Sequence, residues 1–360
     1  MCSGFINNNL IKLFPKRGDI IIIPCKGKES NANVSAKQIY ALKTIDLKCI
    51  CKEYIDELRN EIDILRSLDH PNIVKAYETY EHRKKLFLIM ELCSGGDLHS
   101  RVNYTEKQCC MLVRKILLAV GYMHKMGIVH RDLKFENIMF ESNSPDAEIK
   151  IIDFGLSRKF MPTDVFTRTV GTLYTMAPEV IKGKYSIQVD LWSIGCISYM
   201  LLSDRKPFWG TTRREVVKNI MNCNYNFNSH RWTKVSNDAK LFVSSLLKFN
   251  PEDRGTIDEA LDSKWLRKHK PKPIVISQKL SDGFLTFSQN SEVKKLALAI
   301  IAHKSTAHDI FNLRQIFESF DTMKNGIITY DEFKLALSNH DYSDNDLKLM
   351  FSNAVRLFSF

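Results

Sequence analysis

The 360-residue chain contains no apolar run of the roughly 18 residues that a membrane-crossing helix needs. Its first residues, Met1-Cys2-Ser3-Gly4-Phe5, lack the ordered basic, apolar and small-residue regions of a secretory leader. The glycine that N-myristoylation requires directly after the initiator methionine is missing as well, and Cys2 stands there with a thiol open at most to palmitoylation. Nine cysteines occur in an odd, scattered set without a disulfide framework, and Cys49-Ile50-Cys51 and Cys109-Cys110 have no further Cys or His at metal spacing. Free thiols in a reducing compartment, cytoplasm or nucleus, are therefore expected, with no transmembrane segment. No arginine-rich arm accompanies the net charge of +11, so that charge reads as a lysine-rich solvated surface and nucleic acid is not expected as a partner.

Forty-four per cent hydrophobic and 26% charged residues are the composition of an ordinary globular chain, long enough for two or three domains. Its most informative stretch is Ile128-Val129-His130-Arg131-Asp132-Leu133-Lys134-Phe135-Glu136-Asn137, followed by Asp153-Phe154-Gly155. Phosphoryl transfer needs a carboxylate at the attacking hydroxyl, a cation beside the moving group and oxygen donors for Mg²⁺. Asp132 suits the carboxylate, Lys134 the cation, and Asn137 and Asp153 the metal ligands. An accidental polar turn between strands is the bland alternative, and the flanking patterns weigh against it.

Upstream, Asp19 to Pro24 contains four consecutive isoleucines and predicts a strand, followed by the polar, turn-like Cys25 to Asn33. Gln38 to Ile45 alternates as a second strand and carries Lys43 near its end. The helix predicted over Lys52 to Leu68 has Ile55, Leu58, Ile62 and Leu65 on one face, and its Glu61 is the expected ion-pair partner of Lys43. Asp69 to Val74 reads as a turn into a strand, Leu86 to Leu92 as an apolar strand, and Ser94-Gly95-Gly96-Asp97 as the break that starts a helix. Strands before residue 93 and helices after it, among them one over residues 105–126, predict two lobes. Asp190 to Gly195 opens a second apolar helix.

In their order and spacing these motifs resemble those of a serine/threonine protein kinase of the calcium/calmodulin-dependent group, over residues 36–267. Tyr40-Ala41-Leu42-Lys43, Glu61, His130 to Asn137, Asp153 to Gly155, Gly171-Thr172 with Ala177-Pro178-Glu179, and Arg254 carry the likeness. It implies an α+β, two-lobed fold with a small β-rich N-lobe and a large helical C-lobe, hinged near residues 91–95. It also implies ATP and Mg²⁺, with Lys43 on the α- and β-phosphates, Met90 as gatekeeper, and the backbones of Glu91 and Cys93 on the adenine. Asp97 and Glu136 match acidic positions that recognise basic residues before the phosphorylated Ser or Thr. Asp190 is expected to anchor the catalytic-loop backbone, and Glu179 and Arg254 to form a buried pair. One departure stands out: the G-x-G-x-x-G loop is absent, and only Gly18 and Gly27 stand in its place. A second lies in the activation loop, Asp153 to Glu179, where the position three before Gly171, phosphorylated in many relatives, is Arg168. Loop phosphorylation is therefore not expected to be the main switch.

Beyond Lys270-Pro271-Lys272-Pro273, residues 292–304 form a basic amphipathic stretch that suits a calmodulin-type target, a membrane-surface element or a core helix. Asp321 to Glu332 resembles an EF-hand loop, with Asp321, Asn325, Ile327, Thr329 and Glu332 as Ca²⁺ ligands and Met323 where an oxygen is wanted. Kinase, basic junction and EF-hand in this order resemble the plant and protist calcium-dependent protein kinases. The resemblance implies four regions: an atypical 1–35, a kinase domain 36–267, an autoinhibitory junction 268–304, and 305–360 with one EF-hand and the start of a second at Asp344 to Val355. It also implies Ca²⁺ control of the junction and a partner for the single hand. Two readings stand: a Ser/Thr kinase acting on basic-motif substrates, or a kinase-fold scaffold or calcium-responsive binding module with little activity.

Overall fold

The computed structural model describes residues 19–25, 38–47, 52–161, 164–268 and 328–355, with isolated positions between 282 and 321. The chain divides into two units, Met1–His269 and Lys270–Phe360.

The first unit begins with a four-stranded sheet in the order β1-β2-β4-β3. These strands are β1 (Asp19–Cys25), β2 (Gln38–Asp46), β3 (Ala76–His82) and β4 (Lys85–Glu91), and all pair antiparallel. β1 runs in register with β2 from Asp19 opposite Thr44 to Cys25 opposite Gln38. It therefore lies in the same sheet as the lysine-bearing strand. Its Pro24 has no N–H to donate, which an edge strand tolerates and a central one does not. Between β2 and β3 lies α1 (Lys52–Ser67). Leu58 and Ile62 of α1 are buried with Ile45 of β2, and Leu47 and Leu86 pack against them, so the apolar stripe of the helix meets the sheet.

Helices dominate the remainder: α2 (Glu106–Lys125), α3 (Pro178–Lys182), α4 (Gln188–Ser203), α5 (Arg213–Met221), α6 (Asn237–Leu246), α7 (Ile257–Leu261) and α8 (Lys264–Lys268). Thr105 and Gln108 form a capping box that starts α2. Nearly every residue of α4 is buried, as expected of a helix that is apolar all round and runs through a core. In α2, burial raises the Cys109 thiol to about 12 and the Cys110 thiol to about 11, so both stay protonated and act as small apolar groups.

The helix expected to start at Ser94-Gly95-Gly96-Asp97 is not formed. The Asp97 carboxylate instead accepts from the backbone N–H of His99 (2.9 Å) and Ser100 (3.0 Å), closing a single turn, and α2 starts only after Thr105. A short side chain that satisfies nearby N–H groups favours a turn over a continuing helix. Gly95 is needed here, because a Cβ would lie 2.0 Å from the carbonyl oxygen of Ser142.

In the second unit, α9 (Tyr330–Ala336) and α10 (Asp344–Val355) enclose a small core of Phe320, Phe333, Leu337, Leu347 and Met350. Apart from Lys294, the basic stretch 292–304 lies outside the described residues, as do Thr163 and the loop positions Met323, Asn325 and Ile327. No helix among the described residues is long and apolar enough to cross a membrane.

Candidate active site

The site is built where short strands end. β5 (Ile128–Val129) pairs with β8 (Arg158–Lys159), and β6 (Ile138–Phe140) pairs with β7 (Ile149–Ile151). The β6–β7 register sets Ile138 opposite Ile151, and Ile152 N–H donates to the Asn137 carbonyl at 2.8 Å. Asn137 and Asp153 are thereby brought to the same end of one hairpin. Arg131 (φ 69°) and Asp153 (φ 61°) both adopt the left-handed backbone region, an uncommon conformation for such side chains that is typical of functional loops.

Asp132 is nearly buried, and three side chains converge on its carboxylate. Lys134 Nζ donates to Oδ2 at 2.7 Å, Asn137 Nδ2 to the same oxygen at 3.2 Å, and Thr172 Oγ1 to Oδ1 at 2.7 Å. Lys134 Nζ also donates to Thr172 Oγ1 at 3.0 Å. The Nδ2 group of Asn137 is spent on Asp132, where it also reaches the backbone carbonyl at 2.9 Å. Its oxygen is left as the acceptor end, and Asp153, just beyond β7, is exposed. A carboxamide oxygen and a carboxylate are hard donors of the kind Mg²⁺ takes, so the residues present fit that ion. Gly171 is required beside them: its φ is +105°, and a Cβ would come within 2.7 Å of the Arg131 carbonyl oxygen.

On the sheet side, Lys43 Nζ meets Glu61 Oε1 of α1 at 2.8 Å, with both side chains largely shielded from solvent. In the β2–β4 register Ala41 faces Met90 and Tyr40 faces Glu91. Met90 and Cys93 are buried, and burial pushes the Cys93 thiol upward, so it carries no charge. Glu91 is held by an ion pair from Oε1 to Lys150 Nζ at 2.7 Å.

On the opposite flank, Glu136 accepts from the Tyr174 hydroxyl, and His99 Nε2 lies 3.9 Å from its carboxylate. Asp97 and Glu136 are thus neighbours around His99, one through its backbone and the other through its ring. Asp190 is fully buried and receives the backbone N–H groups of His130 and Arg131, each at 2.9 Å, and His124 Nε2 at 2.9 Å. Burial opposes its charge, but the His124 hydrogen bond and the His130 backbone N–H outweigh burial and keep the carboxyl below its ordinary value. Glu179 and Arg254 form a two-pronged pair at 2.5 and 2.7 Å, with the guanidinium fully buried. Asp132, Lys134, Asn137 and Thr172 are joined by direct hydrogen bonds, while Lys43 with Glu61 and Glu179 with Arg254 form separate ion pairs.

A protein kinase domain model matches residues 28–266. The chain belongs to the protein kinase family. An EF-hand domain model matches residues 312–341 of its tail. The chain is similar to calcium-dependent protein kinase 5 of Plasmodium falciparum, 36% identical over 90% of this chain and 59% of that protein. It is 38% identical to calcium-dependent protein kinase 20 of Oryza sativa over 88% of this chain and 59% of that protein, and 35% identical to calcium-dependent protein kinase 24 of Arabidopsis thaliana over 89% and 57%. It spans less than three-fifths of the length of these relatives.

Several contacts of the kinase domain escaped the sequence reading. Thr172 was visible only as a family marker, yet its hydroxyl bridges Asp132 and Lys134. Lys150 and His124, partners of Glu91 and Asp190, carry no local signal, because each reaches across at least 59 positions of chain. In the EF-hand, Asp321 and Glu332 are buried, and Glu332 Oε2 accepts from the N–H (2.9 Å) and hydroxyl (2.8 Å) of Thr329 in a capping box. That use of position 12, together with a thioether at position 3, makes the loop a poor fit to the full oxygen cage Ca²⁺ prefers.

Proposed function

We propose that this chain transfers the γ-phosphoryl group of ATP to Ser or Thr of proteins bearing basic residues before the acceptor. The observation that carries the reading is the Asp132 carboxylate held by Lys134, Thr172 and Asn137 while the Lys43–Glu61 pair is closed. Mg²⁺ and ATP supply the transferable phosphoryl group and neutralise its charge. Asp132 accepts the proton of the attacking hydroxyl as the new P–O bond forms and the bond to the leaving phosphate breaks. Lys134 places a cation beside the group in transit, and its bond to Thr172 favours the Ser/Thr reading. Asn137 and Asp153 would hold Mg²⁺. Glu61 orients Lys43 toward the α- and β-phosphates. Met90 and the backbones of Glu91 and Cys93 receive the adenine. Asp97 and Glu136 attract a basic substrate side chain by charge-assisted bonding. Asp190 fixes the catalytic-loop backbone, and Glu179 and Arg254 brace the end of the activation segment.

The catalytic region is taken as residues 36–267, extended by the sheet pairing of β1. The segment 268–304 is read as a junction that blocks the substrate site, and 305–360 as its Ca²⁺-responsive release, working with a partner hand. The names of the relatives support this regulation.

Phosphate transfer from labelled ATP to a basic Ser/Thr peptide, with Ca²⁺ and with chelator, tests the proposal against Asp132→Asn. Transfer only with Ca²⁺ supports a gated kinase, and equal transfer in both supports an ungated one. No transfer above the Asp132→Asn level refutes the enzymatic reading in favour of a scaffold.

A further inference from the structure

Activation segments are commonly ordered by a phosphate that binds arginine. In this chain the corresponding chemistry is laid out with the charges exchanged. Glu57 and Glu61 stand four residues apart on α1, and hence on one face of that helix. Glu61 reaches Lys43, and Glu57 reaches the activation segment. The same oxygen of Glu57, Oε1, meets the guanidinium of Arg168 and, at 3.5 Å, Nη2 of Arg158. One helical turn away, Asn60 Nδ2 donates to the Ser157 carbonyl at 3.0 Å. α1 is therefore tied to the segment at Ser157, Arg158 and Arg168.

Arg131, beside the catalytic aspartate, is also held without a phosphate. Its Nε donates to the Leu156 carbonyl at 2.7 Å and Nη1 to the Tyr185 hydroxyl at 3.1 Å, and its guanidinium lies 5.1 Å from the centre of the Phe166 ring. The Tyr185 hydroxyl in turn donates to the Arg168 carbonyl at 2.7 Å, and Phe166 bridges Tyr185 through the backbone. Arg168 is thereby fixed at its backbone by Tyr185 and at its side chain by Glu57.

We propose that Glu57 and Arg168 form a latch that holds the activation segment against α1 in place of a phosphate, and that both are positioning residues for the Lys43–Glu61 pair. The residue type decides the direction of the latch. A cation on the segment requires an anion on the helix, and Glu57 supplies it within one turn of the glutamate that orients Lys43. Arg158 on β8 adds a second cation to the same carboxylate, so Glu57 is the hub. The latch needs no modification to close, and it is weakened by salt because Arg168 is largely exposed.

The assay rests on the kinase reading above, so it is paired with a readout that does not. Full-length, phosphatase-treated chain is compared with Glu57→Gln, Arg168→Gln and the double variant, by peptide phosphorylation and by amide hydrogen exchange of α1 and residues 164–169. Each single variant is expected to lower kcat about threefold to fivefold, the value of a partly exposed ion pair, with KM for the peptide unchanged, and to speed exchange in both segments. The double variant is expected to be no worse than Glu57→Gln alone, because removing Arg168 then deletes a contact already lost. Additive losses in the double variant, single variants that match wild type in both readouts, or loss of activity on phosphatase treatment overturn the latch. Wild-type chain that transfers no phosphate while the exchange pattern still follows the cycle refutes the kinase reading and supports the latch.

Discussion

Glu179→Ala isolates a charge in the interior, and the structure sets the scale of the penalty. Arg254 has no exposed side-chain surface, and Glu179 accepts from both of its terminal nitrogens, at 2.5 and 2.7 Å. Without Glu179 the guanidinium keeps only neutral acceptors: the carbonyls of Lys248 (2.9 Å), Gln188 (3.1 Å) and Phe249 (3.3 Å), and the nearby Trp192 ring. Three good carbonyl contacts satisfy donors but do not neutralise the charge. Removing one partner of a buried pair costs about 3–5 kcal/mol. At about 2–4 °C per kcal/mol for a domain of this size, Tm falls by roughly 6–20 °C. Thermal unfolding of the full chain, followed by near-ultraviolet circular dichroism, measures it. The same experiment on Glu179→Leu with Arg254→Met removes both charges and is expected to recover most of the loss, since an apolar pair of similar volume needs no counter-charge. A Tm within about 2 °C of wild type for Glu179→Ala, or a double variant that loses the sum of both single variants, refutes the reasoning.

Other outcomes follow from the same geometry. Asp132→Asn is expected to lower kcat by about 10²–10⁴, the usual worth of a positioned base, while leaving Tm nearly unchanged; peptide phosphorylation and thermal unfolding check it. ATP with Mg²⁺ is expected to raise Tm, by the equivalent of about 2.7 kcal/mol at one hundred times Kd; no shift would favour the scaffold. Replacing Thr163, Thr167 and Thr169 together by Ala is expected to leave most activity, and loss of nearly all of it would restore loop phosphorylation as the switch. Burial holds the His130 imidazole below its ordinary 6.5, against the pull of Asp190. The unfolded chain thus binds a proton that the native chain refuses, so stability falls as pH drops below about 6.5, by up to about 1.4 kcal/mol per unit. Urea unfolding across that range should show a shallower slope for His130→Phe. Titration calorimetry of the full chain with Ca²⁺ is expected to give weak binding, because Met323 offers no oxygen and Glu332 is engaged by Thr329.

Chemistry that depends on short spacings was determined by the sequence alone. Asp132, Lys134 and Asn137 lie within six residues, so any backbone that closes this loop brings them together, and the Lys43–Glu61 pair follows from a strand leading directly to a helix. Alternation and helical periodicity likewise placed β2, α1, α2 and α4, because each element buries its own apolar face. The tertiary structure decided what rests on distant partners or on competition within a turn. The expected helix at Asp97 gave way because its carboxylate satisfies two N–H groups of the next residues. β1 joined the sheet through registry with β2, which no pattern within Asp19–Cys25 specifies. The ties of Glu57 to Arg158 and Arg168, 101 and 111 positions away, exist only once the activation segment folds back on α1. A sequence states which charges are present, but attraction acts over a few ångströms, and only the folded chain determines which of them come that close.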